Sequence, residues 1–212
     1  MSNYKNFVFD YPARCHELLK RMNDDNMAQD REVTLLIALA SAGLILPLER
    51  LAPDDSSERT KFHPSGDPER YPKWRDDLSD MLAKPFCNSP LSNGPDNFWR
   101  TGKVSAADLK DRPDSWPGFL TAKPISKDKL ARSVIKILRN SLAHGNIWTT
   151  NSRIIENIVF AREISCGKHY EYIVGSPVSL RSLLIGWFHF LKEKQIPING
   201  EIHKTAKISR IA

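Results

Sequence analysis

The segment Ser126–Gly145, SKDKLARSVIKILRNSLAHG, decides the fold because its apolar residues recur with the 3.6-residue period of an α-helix. One side of the predicted helix carries Leu130, Val134, Ile137, Leu138 and Leu142. Ser126 is a typical N-cap residue and Gly145 a typical C-terminal stop, so we predict a helix over 127–143. A helix with one apolar face needs a core to pack against, which predicts a packed helical domain.

Four further helices are predicted, over about 10–22, 30–51, 72–83 and 177–194. The second contains the longest uncharged run, the 16 residues from Val33 to Leu48. This run is shorter than the ~20 residues of a membrane-spanning helix. We therefore expect the central helix of a bundle and no association with a membrane.

The chain between the second helix and Ser126 has a different character. Eleven of the fourteen prolines lie between Pro47 and Pro124, so we expect an irregular insertion over about 52–125. Its aromatic residues should pack onto the core; they are Trp99, Trp116 and Phe119.

Two β-rich runs follow the decisive helix. Residues 153–164 and 168–174 flank Ser165-Cys166-Gly167, which predicts a β-hairpin. Residues 195–212 are predicted to form a basic tail. The expected fold is mainly α: one domain, a helical bundle with a small antiparallel hairpin and the proline-rich insertion.

Composition limits the kind of protein and its partners. The chain has 212 residues, of which 41% are hydrophobic and 26% charged, which is typical of globular proteins and not of disordered or collagen-like chains. Its three cysteines are widely separated, which favours reduced thiols and a cytoplasmic protein. Residues 1–100 carry a net charge of −3 and residues 101–212 a net charge of +9, and a basic excess of this kind favours polyanions such as RNA.

A basic stripe lies opposite the apolar face of the decisive helix. On a helical wheel, one arc of about 100° contains Lys129, Arg132, Lys136, Arg139 and Asn140. We expect the first three of these residues to contact RNA phosphates. Trp148, just beyond the helix, either stacks on a base or packs the helix end against the hairpin.

His144 lies at the border between the basic stripe and the apolar face. Asn140 and His144 are i, i+4 neighbours, and the long Arg139 side chain can reach the same place. An imidazole exchanges protons near neutral pH, and a guanidinium holds two phosphate oxygens. The group therefore suits chemistry at a phosphodiester, although the bare spacing arises easily by chance and the helix dipole favours a histidine at this end.

The sequence Arg139-Asn140-Ser141-Leu142-Ala143-His144 resembles the R-x4-6-H signature of the HEPN superfamily, in which a polar residue follows the arginine. HEPN abbreviates higher-eukaryote and prokaryote nucleotide-binding domains. The late position of this helix in a mostly helical chain agrees with the resemblance. The hairpin and the proline-rich segment depart from the minimal bundle, as they do in some stand-alone plasmid or mobile-element members.

The resemblance implies a metal-independent endoribonuclease without a cofactor, often a toxin or defence effector, in which two protomers form a symmetric groove. Carried over to this chain, Arg139 and His144 of both protomers form one composite site, and Asn140 orients or stabilises it. The implied partners are RNA, a second copy of the chain and an antitoxin. The main rival is a HEPN-like module that binds RNA, nucleotide or a protein partner without cleaving. A structural adaptor would instead bury Arg139 and His144 in bonds within one chain.

Metal sites are less well supported by the sequence, and we expect none. A zinc site would combine Cys166 and His169 of the hairpin with Cys15-His16 of the first helix, but the chain has no tight CxxC pair. A Mg²⁺ nuclease would use Asp76, Asp77 and Asp80, which also suit a solvated helix face. We expect His189 to be packed or at the surface. Hydrolase-elbow, P-loop and dinucleotide-binding motifs do not occur in the sequence.

Overall fold

The computed structural model describes residues 7–21, 32–51, 72–92, 98–150 and 155–193. The predicted basic tail at 195–212 and the insertion's first part at 52–71 lie outside the described residues. The helices are α1 (Phe7–Arg21), α2 (Glu32–Leu51), α3 (Pro72–Ala83), α4 (Ala131–His144) and α5 (Pro177–Glu193). Each corresponds to a helix predicted from the sequence.

The strands form one antiparallel sheet. They are β1 (Trp99–Ser105), β2 (Lys123–Pro124), β3 (Ile147–Thr149), β4 (Ile158–Glu163) and β5 (His169–Gly175). The order across the sheet is β2-β1-β5-β4-β3. The predicted hairpin is confirmed as β4 and β5, with Glu163 opposite Tyr170. Its turn has φ of +40° at Cys166 and +77° at Gly167, the backbone that a tight hairpin turn requires.

The expectation of a mainly α-helical bundle with only a small hairpin is wrong, because the fold is mixed α/β. The insertion contributes β1 and β2, and β1 pairs with β5 along its whole length. The sequence pattern did not predict β1, because its residues WRTGKVS do not alternate between apolar and polar. Only Trp99 and Val104 of this strand are buried. Prolines are absent from β1 itself, so the proline-rich composition around it was misleading.

Two hydrophobic clusters cover the two faces of the sheet. The helices pack on one face, against Trp99, Ile158, Phe160 and Ile173. The segment that follows β1 covers the other face, where Trp116 and Phe119 pack on Tyr172. The prediction that the insertion's aromatic residues pack onto the core is therefore confirmed, since Trp99, Trp116 and Phe119 are all buried.

The start of α4 differs from its prediction. The backbone at Lys129 and Ala131 pairs with the chain after α3, through bonds of Phe86 N–H to Lys129 O (2.7 Å) and of Ala131 N–H to Lys84 O (2.9 Å). Leu130, in an extended conformation, therefore precedes the helix, and Ser126 is not its N-cap. Ser126 lies in a turn, where its carbonyl accepts a bond from Lys129 N–H at 3.0 Å. A distant backbone pairing has outweighed the local capping signal.

Candidate functional site

The candidate site lies on the solvent face of α4. The opposite face is buried and consists of Ala131, Val134, Ile135, Ile137, Leu138 and Ser141. It packs on α2 and β4. Arg132, Lys136 and His144 are exposed, and Arg139 and Asn140 are partly exposed. The arrangement predicted for an adaptor, with Arg139 and His144 both buried, is therefore not observed.

A glycine stop fixes the end of α4 at His144. Gly145 has φ of +71° and ψ of +16°, and its N–H bonds to Ser141 O. Asn146 N–H donates to the same carbonyl at 2.9 Å, which completes a Schellman-type end. Asn146 O then accepts a bond from Ala161 N–H of β4 at 3.1 Å. The last turn is thus attached to the sheet, and His144 projects from its final position.

Arg139 and Asn140 form a pair on the same face. Arg139 Nη1 donates to Asn140 Oδ1 at 3.0 Å. The sequence predicts that the Asn140 and His144 side chains can meet; in the structure, the Asn140 oxygen accepts a hydrogen bond from the neighbouring guanidinium. This bond orients a permanent positive charge one helical turn before the imidazole.

The three predicted phosphate contacts do not share one environment. Arg132 and Lys136 are exposed on the α4 face that carries Arg139. Lys129 precedes the helix, and its Nζ bonds to Glu171 Oε1 of β5. Its predicted place on the helical stripe is therefore wrong, because the helix starts two residues later and the ammonium is paired with a carboxylate.

Glu171 joins the entry of α4 to the sheet. Arg162 of β4 donates to Glu171 Oε2 from Nη2 at 2.9 Å, beside the Lys129 contact. Burial alone would raise the pKa of Glu171, but the hydrogen bonds and charges of Lys129 and Arg162 outweigh it and hold the pKa below its ordinary value. The carboxylate stays ionised and anchors both cations, so Lys129 has a structural role in this chain.

Trp148 is packed within the protein. Its ring meets Trp116 edge-on, with centroids 5.3 Å apart and an interplanar angle of 76°. It is half-buried in β3, against the cluster that covers the outer face of the sheet. Of the two roles predicted for Trp148, the structure favours packing over base stacking, with the partner supplied by the insertion.

Ser141 is a residue of the motif whose role the sequence did not indicate. It is fully buried, and its Oγ lies 2.6 Å from Ile137 O and 2.9 Å from Ala161 O. The second oxygen belongs to β4, twenty residues further along the chain. A small polar residue between apolar neighbours at a buried helix position was the only available signal. Ser141 thus fixes the motif helix against the sheet.

The alternative metal sites are not assembled. No group of three or more histidine, cysteine, aspartate or glutamate side chains lies close enough to hold a metal within the described part of the chain. Cys15 and His16 are buried in α1, whereas Cys166 and His169 are exposed at the hairpin. His189 is exposed on α5, with Nδ1 3.4 Å from Glu193 Oε1. Asp76 and Asp80 are exposed and Asp77 partly exposed, as in a solvated face.

Within the described ranges, none of the helices combines the length and the apolar character needed to traverse a bilayer.

Comparison with known proteins assigns the family. A family model described as HEPN pEK499 p136 matches residues 1–198, nearly the whole chain. No curated protein and no solved structure gives a significant match. The match extends the resemblance seen in the motif to α1, α2, the insertion and α5. The chain therefore belongs to the HEPN pEK499 p136 family and, with it, to the HEPN superfamily.

Proposed function

We propose that this protein is a metal-independent endoribonuclease in which His144, Arg139 and Asn140 act on a phosphodiester of RNA. One observation carries the proposal: a HEPN-family chain exposes His144 at the end of α4, and a hydrogen-bonded, partly exposed Arg139–Asn140 pair lies four to five residues earlier on the same helix. Arg132 and Lys136 extend the solvent face of α4 with two further positive charges.

The reaction follows from the chemistry of RNA. The ribose 2′-oxygen attacks the adjacent phosphorus, and an imidazole of His144 accepts the hydroxyl proton. The bond from phosphorus to the 5′-oxygen breaks, and a protonated imidazole donates a proton to the leaving oxygen. Arg139 stabilises the negative charge that develops on the phosphoryl oxygens, with its guanidinium oriented by Asn140. The products are a 2′,3′-cyclic phosphate and a 5′-hydroxyl.

The two proton transfers require a base and an acid, and each chain supplies a single His144 on this face. A homodimer that packs the α4 faces around a two-fold axis supplies both. The same packing brings together the Arg132, Lys136 and Arg139 side chains of two protomers. Bound RNA would neutralise this concentration of positive charge, so the groove would favour a polyanion.

A non-cleaving RNA-binding module is the second candidate. It is favoured by the hydrogen bond between Arg139 and Asn140, since this bond holds part of the guanidinium within the chain. In that case Arg132 and Lys136 bind phosphates, and His144 moves no proton.

Cleavage of a mixed RNA sample in EDTA separates the two candidates. We expect the wild-type protein to cleave and to leave 2′,3′-cyclic phosphate ends. His144→Ala should lose at least about 100-fold in rate, the lower range for removal of a general acid or base. His189→Ala is the matched control, since His189 is also exposed on a helix but lies far along the chain from the motif.

Two outcomes would overturn the nuclease proposal. Undiminished cleavage by a folded His144→Ala variant would remove the imidazole from the reaction. Loss of wild-type cleavage on adding EDTA, with recovery on adding Mg²⁺, would move the chemistry to carboxylates such as Asp76 and Asp80. Size-exclusion chromatography of both variants tests whether the dimer is present and persists.

A further inference from the structure

An open cavity of about 370 Å³ lies on the sheet face opposite the helices. It is formed where β1, the end of β3, the start of β4 and the segment after β1 meet. Its lining includes Arg100, Arg112, Asp114, Leu120, Thr150 and Asn157. The volume falls within the range of about 300–1,000 Å³ that is typical of small-ligand sites.

One wall of the cavity is held in place by contacts within the chain. The Arg100 guanidinium lies 5.7 Å from the centre of the ring of Phe119, which also lines the cavity. Arg100 Nη2 donates to Asn157 Oδ1 at 3.5 Å, and Asn157 Nδ2 donates to Thr150 Oγ1 at 3.1 Å. Thr150 N–H also donates to Asn157 O at 3.1 Å. These bonds present a flat guanidinium beside an amide group, a surface on which a planar ring can stack.

The charges of the lining distinguish this cavity from a phosphate site. Arg100 and Arg112 contribute two positive charges, and Asp114 and Glu156 contribute two negative charges. The formal sum is zero, so a phosphate gains little net attraction. A nucleobase needs both donors and acceptors around a flat apolar ring, and arginine, asparagine and carboxylate groups read its edges.

Leu120 at the cavity is the most exposed large apolar side chain among the described residues, at 80%. Packing within the chain does not explain its position. A leucine beside a polar cavity suits van der Waals contact with a planar ligand.

The cavity is close to the candidate cleavage site along the chain. Six residue steps separate His144 from Thr150, and β3 occupies the middle of this segment. Six steps span at most about 22 Å, even when fully extended. β3 is an edge strand of the sheet, so an RNA strand that passes around this edge can reach both places.

We propose that this cavity binds one unstacked base of a single-stranded RNA whose scissile phosphate lies at His144. The proposal rests on the proposed function for the identity of the strand. The base stacks on the Arg100 guanidinium, Asn157 and Arg112 bond to its edge, and Leu120 covers its exposed side. The cavity thus selects a base at a fixed position relative to the bond that is cut.

The test measures binding of a 12-nucleotide RNA to full-length His144→Ala protein by fluorescence anisotropy. In each RNA of the series, one base is replaced by an abasic ribose, so that every phosphate remains. We expect one position at which base removal weakens binding about tenfold, as loss of one stacked base does. Arg112→Ala and Leu120→Ala should reduce that difference to less than about twofold.

Matched controls test whether the cavity causes the difference in binding between the intact and the abasic RNA. Lys110→Ala removes a positive charge from the same segment, and Ile185→Ala removes an exposed apolar side chain from α5; neither residue lines the cavity. Both controls should retain the tenfold difference. Arg112 and Leu120 are exposed, so their variants should fold, which circular dichroism checks.

Several outcomes overturn the proposal. They are equal binding of every abasic RNA, an unchanged difference in Arg112→Ala and Leu120→Ala, and failure of the RNA to bind. Binding of free nucleoside monophosphates without any abasic effect would assign the cavity to a free nucleotide. Competition by inorganic phosphate as strong as that by a nucleoside would make it an anion site.

Cleavage by the wild-type protein, assayed in parallel, keeps the two proposals distinguishable. A base-specific difference without wild-type cleavage supports the cavity and overturns the nuclease. Cleavage without a base-specific difference supports the nuclease and overturns the cavity.

Discussion

Ser141 is a residue of the Arg139–His144 motif that contributes to folding. Its neighbours Asn140 and Leu142 are partly exposed, whereas Ser141 is fully buried and its hydroxyl lies between two carbonyl oxygens. The hydroxyl has one proton and two acceptors, Ile137 O of the helix at 2.6 Å and Ala161 O of the sheet at 2.9 Å. The position therefore tolerates only a small polar side chain without loss of stability.

Ser141→Ala should lower the free energy of unfolding by about 1–2 kcal/mol, because a buried hydrogen bond to Ala161 O is lost and no large cavity forms. Urea denaturation measures the change. Ser133→Ala is the control on the same helix, half-buried and expected to change stability by less than about 0.5 kcal/mol. Equal effects of the two substitutions would contradict the role assigned to Ser141.

His16 is a buried histidine between α1 and α5, 6.4 Å from the ring of Phe188. Burial lowers its pKa below the ordinary value of 6.5, and the charges of Lys20, Lys192 and His189 lower it further, against a smaller opposite effect of Glu17. The folded protein therefore holds His16 neutral, while the unfolded chain binds a proton more readily. The stability from this residue is present above pH 6.5 and is lost as the pH falls below it.

Stability should thus decrease from pH 7.5 to pH 5.5 in the wild type, and His16→Leu should flatten this part of the profile. Urea denaturation at each pH gives the comparison. His169→Ala, which removes an exposed histidine, should keep the wild-type slope. A His16→Leu profile as steep as that of the wild type would show that other groups carry the pH dependence.

At the scale of elements, the end of α4 determines where the histidine is presented. The left-handed backbone at Gly145 ends the helix at His144 and turns the chain into β3. Non-glycine residues reach this conformation only at a cost of about 1–2 kcal/mol. The position of the His144 imidazole therefore depends on a residue outside the proposed site.

Gly145→Ala should lower the free energy of unfolding by about 1 kcal/mol, through the backbone alone, since an added Cβ meets no atom within 4 Å. Gly145→Asn should cost less, because asparagine tolerates the left-handed region. Ala143→Gly is the reverse control in the same turn and should also destabilise, by about 0.5–1 kcal/mol. Thermal unfolding of the three variants measures these losses of stability. A Gly145→Ala variant as stable as the wild type would contradict the role assigned to the glycine.

At the scale of the whole molecule, charge is the property that favours RNA. The second half of the chain carries a net +9, and α4 presents Arg132, Lys136 and Arg139 on one face. Contacts between such residues and phosphates release counterions, so affinity falls as salt rises. Lys129 differs from these residues, because its ammonium is paired with Glu171 and it should contribute little to RNA binding.

Lys136→Ala should weaken binding of single-stranded RNA by a similar factor for every sequence. It should also reduce the magnitude of the slope of log affinity against log salt by about 0.7, the value for one phosphate of a single strand. Anisotropy titrations between 50 and 200 mM salt measure both quantities. Lys192→Ala, an exposed lysine on α5, is the control and should leave the slope unchanged.

The sequence by itself determined the features that depend on neighbouring residues. A helix-start signal located α1, the uncharged run located α2, and apolar periodicity located α3 to α5. The glycine located the end of α4, and the hairpin turn followed from Cys166-Gly167. The resemblance of the segment Arg139–His144 to the HEPN signature indicated the superfamily, which the family match then supported. Each of these signals lies within about one helical turn or one β-turn, where the chain's own geometry fixes which side chains meet.

Only the tertiary structure decided the features that depend on distant residues. β1 joins the sheet through pairing with β5, some seventy residues away, and its own sequence has no alternating pattern. Lys129 leaves the basic stripe because Glu171, 42 positions later, binds its ammonium. Trp148 packs on Trp116 because the insertion covers that face of the sheet. In each case the free energy of a long-range contact outweighs a local preference, and a single sequence does not encode that balance in any one segment.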